Sequence, residues 1–275
     1  MTALWIPLAA LLAVVLLGTV LFLIACRRGP VPDLTKPEVI AKWGRAEQTE
    51  EILAGVRLMQ DAENIFLPSY DGLRLHGRLL QQPGAKGTIL LFHGYRSSWV
   101  IDFSIVLPYY FTLGYNLLAV DERAHGESEG TYITFGVRER HDVATWAAYA
   151  AMHFGPAHPL ILDGLSMGAA TVLMASELEL PASVRGIIAD CGFSSPYAIM
   201  KSVLHWRCPW LVSGCWRLPA FLPGCSAASA CGRSRRRRPS PIRSCPSSSS
   251  TAPATGLSPA PCRRRRMTPA REKSG

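Results

Sequence analysis

The chain opens with an apolar block. Ala3 to Cys26 is a charge-free run of 24 residues rich in Leu, Val and Ala. At 1.5 Å per residue, a helix of about 20 such residues spans a bilayer. Residues 29–35 carry two prolines and read as a linker. Thr35-Lys36-Pro37-Glu38 has the form of a capping box opening a helix that runs, with interruptions, to about Gln60. Ile65 to Pro68, then Tyr70-Asp71-Gly72, then Leu73 to Leu80 reads as strand, turn, strand, with Asp-Gly as the turn signal.

From there the pattern changes to short, fully apolar runs separated by helical stretches. Thr88 to Phe92, Asn116 to Val120, Leu160 to Leu162 and Gly186 to Ala189 suit buried parallel strands. Helices are expected near 101–112, over 136–153 with Val137, Val143, Ala144 and Ala147 on one side, and over 167–179. Strands and helices that alternate through short connections predict an α/β fold, a parallel sheet wrapped by helices. Beyond Phe221 the regular pattern stops. Arg235–Arg238, Ser247–Ser250 and Arg263–Arg266 are homopolymer runs, and such a segment buries too little apolar area to offset its ordering entropy.

Charge sharpens this division. The chain has 275 residues and a net charge of +9. Residues 1–208 hold 16 Lys and Arg against 19 Asp and Glu, whereas residues 209–275 hold 13 against 1, so a segment of −3 is joined to one of +12. Four regions follow: an anchor over 1–26, a linker and helix over 27–60, the α/β core over 61–208, and an Arg/Ser/Pro-rich tail over 209–275 that the composition predicts to be disordered.

The N-terminal block has three readings. A cleaved secretory signal wants a basic start and a shorter apolar stretch, but Met1-Thr2-Ala3 has no charged side chain. Leu23-Ile24-Ala25-Cys26 resembles the end of a lipoprotein signal, which would place the protein outside the cytoplasm. An uncleaved single-pass anchor fits the length and flanks. Arg27 and Arg28, with Lys36, Lys42 and Arg45 nearby, then put the segment after the anchor in the cytoplasm by the positive-inside rule. Cys191 is the one cysteine between residues 27 and 207, so that segment offers no disulfide framework.

The chemistry lies in three motifs. Gly164-Leu165-Ser166-Met167-Gly168 follows an apolar strand and opens a helix. This is the nucleophile-elbow pattern, in which a sharp turn exposes a serine hydroxyl and small residues on either side let strand and helix close up. His93-Gly94-Tyr95 ends an earlier strand. An oxyanion that develops in acyl transfer needs preorganised N–H donors; the residue after the nucleophile, Met167, supplies one, and Tyr95 is the candidate for the other. The third motif, Asp121-Glu122-Arg123-Ala124-His125-Gly126-Glu127-Ser128, follows the next strand.

With these motifs in this order, residues 63–200 resemble the α/β-hydrolase superfamily, closest to its serine-aminopeptidase-like and monoacylglycerol-lipase-like branch. That branch shows Asp-x-Arg-Gly-His-Gly-x-Ser after a strand; this chain has Ala124 in place of the first Gly. Gly192-Phe193-Ser194-Ser195-Pro196 also fits. The resemblance implies a doubly wound, mostly parallel sheet and an acyl-enzyme on Ser166, with Tyr95 and Met167 N–H groups on the oxyanion. It also implies that His125 shapes a loop and is not the base. The implied activity is serine-dependent hydrolysis of an ester, thioester or amide, on a small-molecule or lipid-like acyl substrate and without a cofactor or metal.

The family also needs an acid and then a histidine after the serine, because a serine hydroxyl is a poor nucleophile without a base in reach. The last histidine is His205, and the one acidic residue beyond Asp190 is Glu272. The usual order cannot be completed. Asp190 is the alternative acid, although a capping role at a strand end competes; His205 lies in an expected lid helix, and His76, His141, His153 and His158 lie in elements that do not normally meet the nucleophile. In GC-rich coding, repeated Ala codons read as Pro or Arg when the frame slips, so the tail has the composition of an out-of-frame reading that begins between about Trp206 and Arg233. The final strands of the fold would then be missing. The competing readings are a catalytically inactive remnant and a membrane-tethered binding protein whose arginines hold phosphates. The tail lacks the interleaved aromatics of nucleic-acid binders, and no nucleic-acid partner is expected.

Overall fold

The computed structural model describes residues 5–30, 36–42 and 45–207. Thr35 of the expected capping box and the whole tail from residue 209 lie outside the described residues. The first element, α1 (Trp5–Cys26), is a continuous helix across the apolar block. Among the described residues it is the one helix long and apolar enough to cross a membrane, over Pro7–Cys26, although a signal sequence would have the same properties. The expected helix ending near Gln60 is interrupted, as α2 (Pro37–Lys42) and α3 (Thr49–Leu58).

Six strands form one mixed sheet: β1 (Glu63–Pro68), β2 (Arg74–Leu80), β3 (Gly87–Phe92), β4 (Tyr115–Asp121), β5 (Leu160–Leu165) and β6 (Val184–Asp190). Their order is β1-β2-β4-β3-β5-β6. The β1–β2 hairpin is antiparallel, as is β2 with β4; every pairing among β4, β3, β5 and β6 is parallel. The strands β3 and β4 are buried along almost their whole length because helices cover both faces. Ile89, Leu91, Leu117 and Ala119 pack on one side with residues of α3, α4 (Trp99–Phe103) and α5 (Leu107–Thr112). Leu90, Phe92, Leu118 and Val120 pack on the other with α6 (Glu139–Phe154) and α7 (Met167–Ala175). Alternation along a strand thus feeds two cores, as a doubly wound sheet requires.

Three expectations are corrected. The stretch 101–112 is two helices, and α3 packs against the break: a Cβ on Gly55 would overlap the Ser104 carbonyl oxygen. The helix expected from 136 begins at Glu139, and its buried stripe is Val143, Trp146, Ala147 and Ala150, with Val137 exposed ahead of it. The nucleophile-side helix ends at Ala175, short of 179.

Among the described residues β6 is an edge strand. Where β3 is buried throughout, β6 is half-exposed or exposed at every residue, and Ile188 is open to solvent. The last described helix, α8 (Pro196–Arg207), leaves Tyr197, Met200, Val203 and Leu204 exposed. A half-covered apolar edge of this kind is the face on which further strands of a parallel sheet would add.

Candidate active site

The strands β3 and β5 are parallel neighbours, with Phe92 opposite Gly164, so the loops that follow them lie side by side at the carboxyl end of the sheet. In open α/β sheets this is where ligands bind. Ser166 stands between β5 and α7 with φ 54° and ψ −105°, a conformation that an L-residue adopts only under strain. The flanking glycines explain why the strain persists. A Cβ on Gly164 would overlap the Gly168 carbonyl, and a Cβ on Gly168 would overlap the Phe92 carbonyl. The helix α7 therefore starts directly against the backbones of β5 and β3, and the turn has no room to relax. Ser166 donates its N–H to the Asp190 carbonyl at 2.8 Å and accepts from the Ala170 N–H at 3.1 Å.

The loop after β3 is fixed from several sides. The carboxylate of Asp102 accepts from the Gly94 N–H at 2.6 Å and from the Ser97 hydroxyl at 2.8 Å. His125 Nε2 accepts from the Arg96 N–H at 3.0 Å. His93 Nε2 accepts from the Glu122 N–H at 3.2 Å, which leaves Nδ1 to donate to the Gly94 carbonyl. The N–H groups on either side of Tyr95 are thus occupied. Among the described residues the Tyr95 and Met167 N–H groups have no hydrogen-bond partner. Both flank Ser166: a Cβ placed on Gly94 would lie 3.4 Å from Ser166 Cβ, and Met167 is the next residue.

His125 has both ring nitrogens occupied by backbone, with Nδ1 donating to the Arg123 carbonyl at 3.0 Å. Burial, with the neighbouring His93, pushes its pKa down to about 3, so it stays neutral and shapes the loop. Ala124 has φ 60°, the left-handed region that favours glycine, which is the physical reason for a glycine at this place in the motif. Arg123 is held by Asp142 at 2.6 Å and Asp71 at 2.9 Å, and this pairing holds Asp71 down to about 2. Asp190 ends β6 with an exposed carboxylate that makes no hydrogen bond among the described residues; its carbonyl, not its acid, touches the nucleophile. No described histidine hydrogen-bonds to Ser166 or Asp190, and His205 sits exposed on α8.

Residues 83–240 match the family described as serine aminopeptidase, S33. The chain belongs to this family. The match covers all three motifs, from the loop after β3 to the elbow, and runs on past the described residues. A curated relative in Bacillus subtilis (strain 168), the uncharacterized protein YqkD, is 27% identical over 155 residues, which are 56% of this chain and 48% of that protein. The chain thus spans about half the length of the curated relative it matches. Among solved structures, the Pyrococcus furiosus esterase Pf2001 is 25% identical over 57% of this chain and 64% of its own, with a TM-score of 0.48. A CIB-like hydrolase of Thermoplasma acidophilum is 26% identical over 52% and 69%, with a TM-score of 0.39.

One buried group has no counterpart in the sequence reading. Glu122 is 3% exposed and neither carboxyl oxygen has a hydrogen-bond partner. Burial first, then the charges of Glu139 and Asp142, push its pKa well above the usual carboxylate range. The nearby Thr171 hydroxyl donates to the Met167 carbonyl at 2.9 Å instead.

Two predictions follow from this geometry. Replacing Ser166 with Gly relieves strain of about 1–3 kcal/mol at the cost of about 0.5–1 kcal/mol of chain entropy. The Ser166→Gly protein should therefore unfold at a higher temperature than wild type; an unchanged or lower midpoint would contradict the strained elbow. For Glu122, a raised native pKa means that the native state keeps a proton the unfolded chain releases. Stability is then lost as pH rises from about 4.3 towards the native pKa. The Glu122→Gln protein should lack this loss, so its advantage in unfolding midpoint should grow as pH rises above the usual carboxylate range. Parallel pH profiles would contradict the assignment.

Proposed function

We propose that the chain carries the acyl-transfer machinery of a serine hydrolase that cleaves an ester, thioester or amide. Ser166 Oγ attacks the carbonyl carbon, and the carbonyl oxygen takes up the electron pair between the Tyr95 and Met167 N–H groups. The hydroxyl proton passes to a base, which returns it to the leaving group; water then releases the acyl group from Ser166. The observation that carries this reading is the strained Ser166 beside two backbone N–H groups without partners. Donors fixed before the reaction cost no reorganisation when charge develops, and one such donor is worth about 10²–10³ in rate.

The base is the missing part. No histidine follows His205 in the chain, and Asp190, the alternative acid, makes no hydrogen bond to a histidine among the described residues. The half-exposed edge at β6 supports the reading that an out-of-frame tail stands where further strands, an acid and a histidine would follow. The chain as it stands is then a poor enzyme, because a triad acts as a unit and its loss leaves only binding and the oxyanion hole.

The apolar helix is read as an uncleaved anchor, with Arg27 and Arg28 on the cytoplasmic side. Supporting this over a lipoprotein signal, Cys26 is buried and the Ala25 carbonyl is capped by the Tyr95 hydroxyl at 2.7 Å.

A fluorophosphonate probe tests the proposal in two proteins: the chain as given, and a form whose gene is read in the alternative frame beyond about Trp206. The alternative-frame protein should be labelled rapidly and the given chain slowly, with labelling abolished in both by Ser166→Ala. If no frame encodes an apolar strand followed by an acid and a later histidine, the out-of-frame reading is wrong. If labelling survives Ser166→Ala, the nucleophile is wrong.

A further inference from the structure

A helix ends with four carbonyls that have no partner within it. In α1 these ends are met almost entirely by the two loops that border Ser166. The Leu23 carbonyl accepts from the Arg27 N–H at 3.1 Å. The Ile24 carbonyl accepts from Arg96 Nη2 at 2.7 Å, and the same nitrogen reaches the Arg27 carbonyl at 3.0 Å. The Ala25 carbonyl accepts from the Tyr95 hydroxyl at 2.7 Å, and the Cys26 carbonyl from the Ile133 N–H at 2.6 Å. Arg27 then forms an antiparallel bridge with Tyr132, the Arg28 N–H donates to the Thr131 carbonyl, and the Arg28 guanidinium donates to the carbonyls of Gly126 and Ser128. The residue whose N–H stands free beside the nucleophile thus uses its side chain to hold the end of the apolar helix.

The depth of this contact follows from length. Pro7–Cys26 is 20 residues, or about 30 Å of helix, the thickness of a hydrocarbon core. With α1 across a bilayer, Cys26 would mark the edge of that core, and Tyr95, Arg96 and Tyr132 would lie in the headgroup layer, where tyrosine and arginine are favoured. Tyr132 is 44% exposed and its ring lies 5.4 Å from that of Phe22 on α1. A packed apolar cluster joins the helix end to the nucleophile side of the sheet. Tyr95 stacks on Phe135 at 5.2 Å, Phe135 meets Phe193 at 6.4 Å, and Tyr95 and Phe193 pack on buried Ile133 and Met167, the latter next to Ser166.

We propose that the capped end of α1 holds the mouth of the site at the bilayer surface, so that the substrate is a membrane-resident acyl ester that reaches Ser166 from the headgroup layer. This rests on Ser166 as the nucleophile and on α1 as a retained membrane helix; its test does not need turnover. The full chain is reconstituted in phosphatidylcholine vesicles that contain phosphatidylcholine with a photoreactive diazirine in the headgroup, irradiated, and mapped by mass spectrometry. Crosslinks should fall on residues 94–97 and 131–135 and spare 83–86 and 156–159 at the opposite end of the parallel strands. In the Tyr95→Phe, Arg96→Ala protein, crosslinks to these loops should fall several-fold while those to residues 27–28 persist. Equal labelling of both ends of the sheet, or labelled 27–28 with unlabelled loops, would overturn the placement. Labelled loops around a Ser166 that reacts with no fluorophosphonate, in either reading frame, would overturn the acyl-substrate assignment and locate the failure in the hydrolase reading.

Discussion

Everything at the site depends on a helix that begins against bare backbone. With no side chain at Gly168, α7 comes down on the Phe92 and His93 carbonyls; with none at Gly164, β5 passes directly beneath the first turn of the same helix. This double contact forces Ser166 into its strained turn, brings it against Gly94, and aims the first N–H of α7 into the space beside it. A methyl group at either glycine would push the helix away and dissolve the constellation.

The constraint is local to β3, β5 and α7, and this accounts for the most unusual property of the molecule. Ser166 and the two free N–H groups are assembled although β6 is the last strand and no histidine hydrogen-bonds to Ser166 among the described residues. The neighbouring strand contributes only a backbone acceptor, the Asp190 carbonyl that holds the Ser166 N–H. The geometry around Ser166 therefore stands on β3, β5 and α7 with only a backbone contribution from β6. The network behind it, with Arg123 between Asp71 and Asp142 and His125 under the Tyr95 loop, fixes the donors from below in the same way.

The sequence is most legible where chemistry and sterics coincide within a few residues. The elbow, the strand runs and the loop after β3 could be read because glycines and apolar runs have one efficient use there. Ala124 was visible as a departure from the motif, and its φ of 60° gives that departure a cost. Helix boundaries were less legible: the break in 101–112 lies against Gly55, almost fifty residues away. The clamp of Tyr95 and Arg96 on the end of α1 joins residues about 70 apart in the chain, and no periodicity announces it. Glu122 was equally silent, since a buried carboxyl looks in sequence like any solvated one. Asp190 could be read as a candidate acid, but only the geometry separates its carbonyl from its carboxylate.

The proposed site is a preassembled nucleophile and oxyanion hole without a base. Chemical rescue tests this most directly. With an activated ester such as p-nitrophenyl acetate, acylation of Ser166, followed by mass spectrometry of its peptide, should be slow in buffer and should rise with added imidazole. Ser166→Ala should show no acylation of that peptide at any imidazole concentration. If imidazole leaves the acylation of Ser166 unchanged, the missing base is not what limits this site, and the half-built active site described above is contradicted.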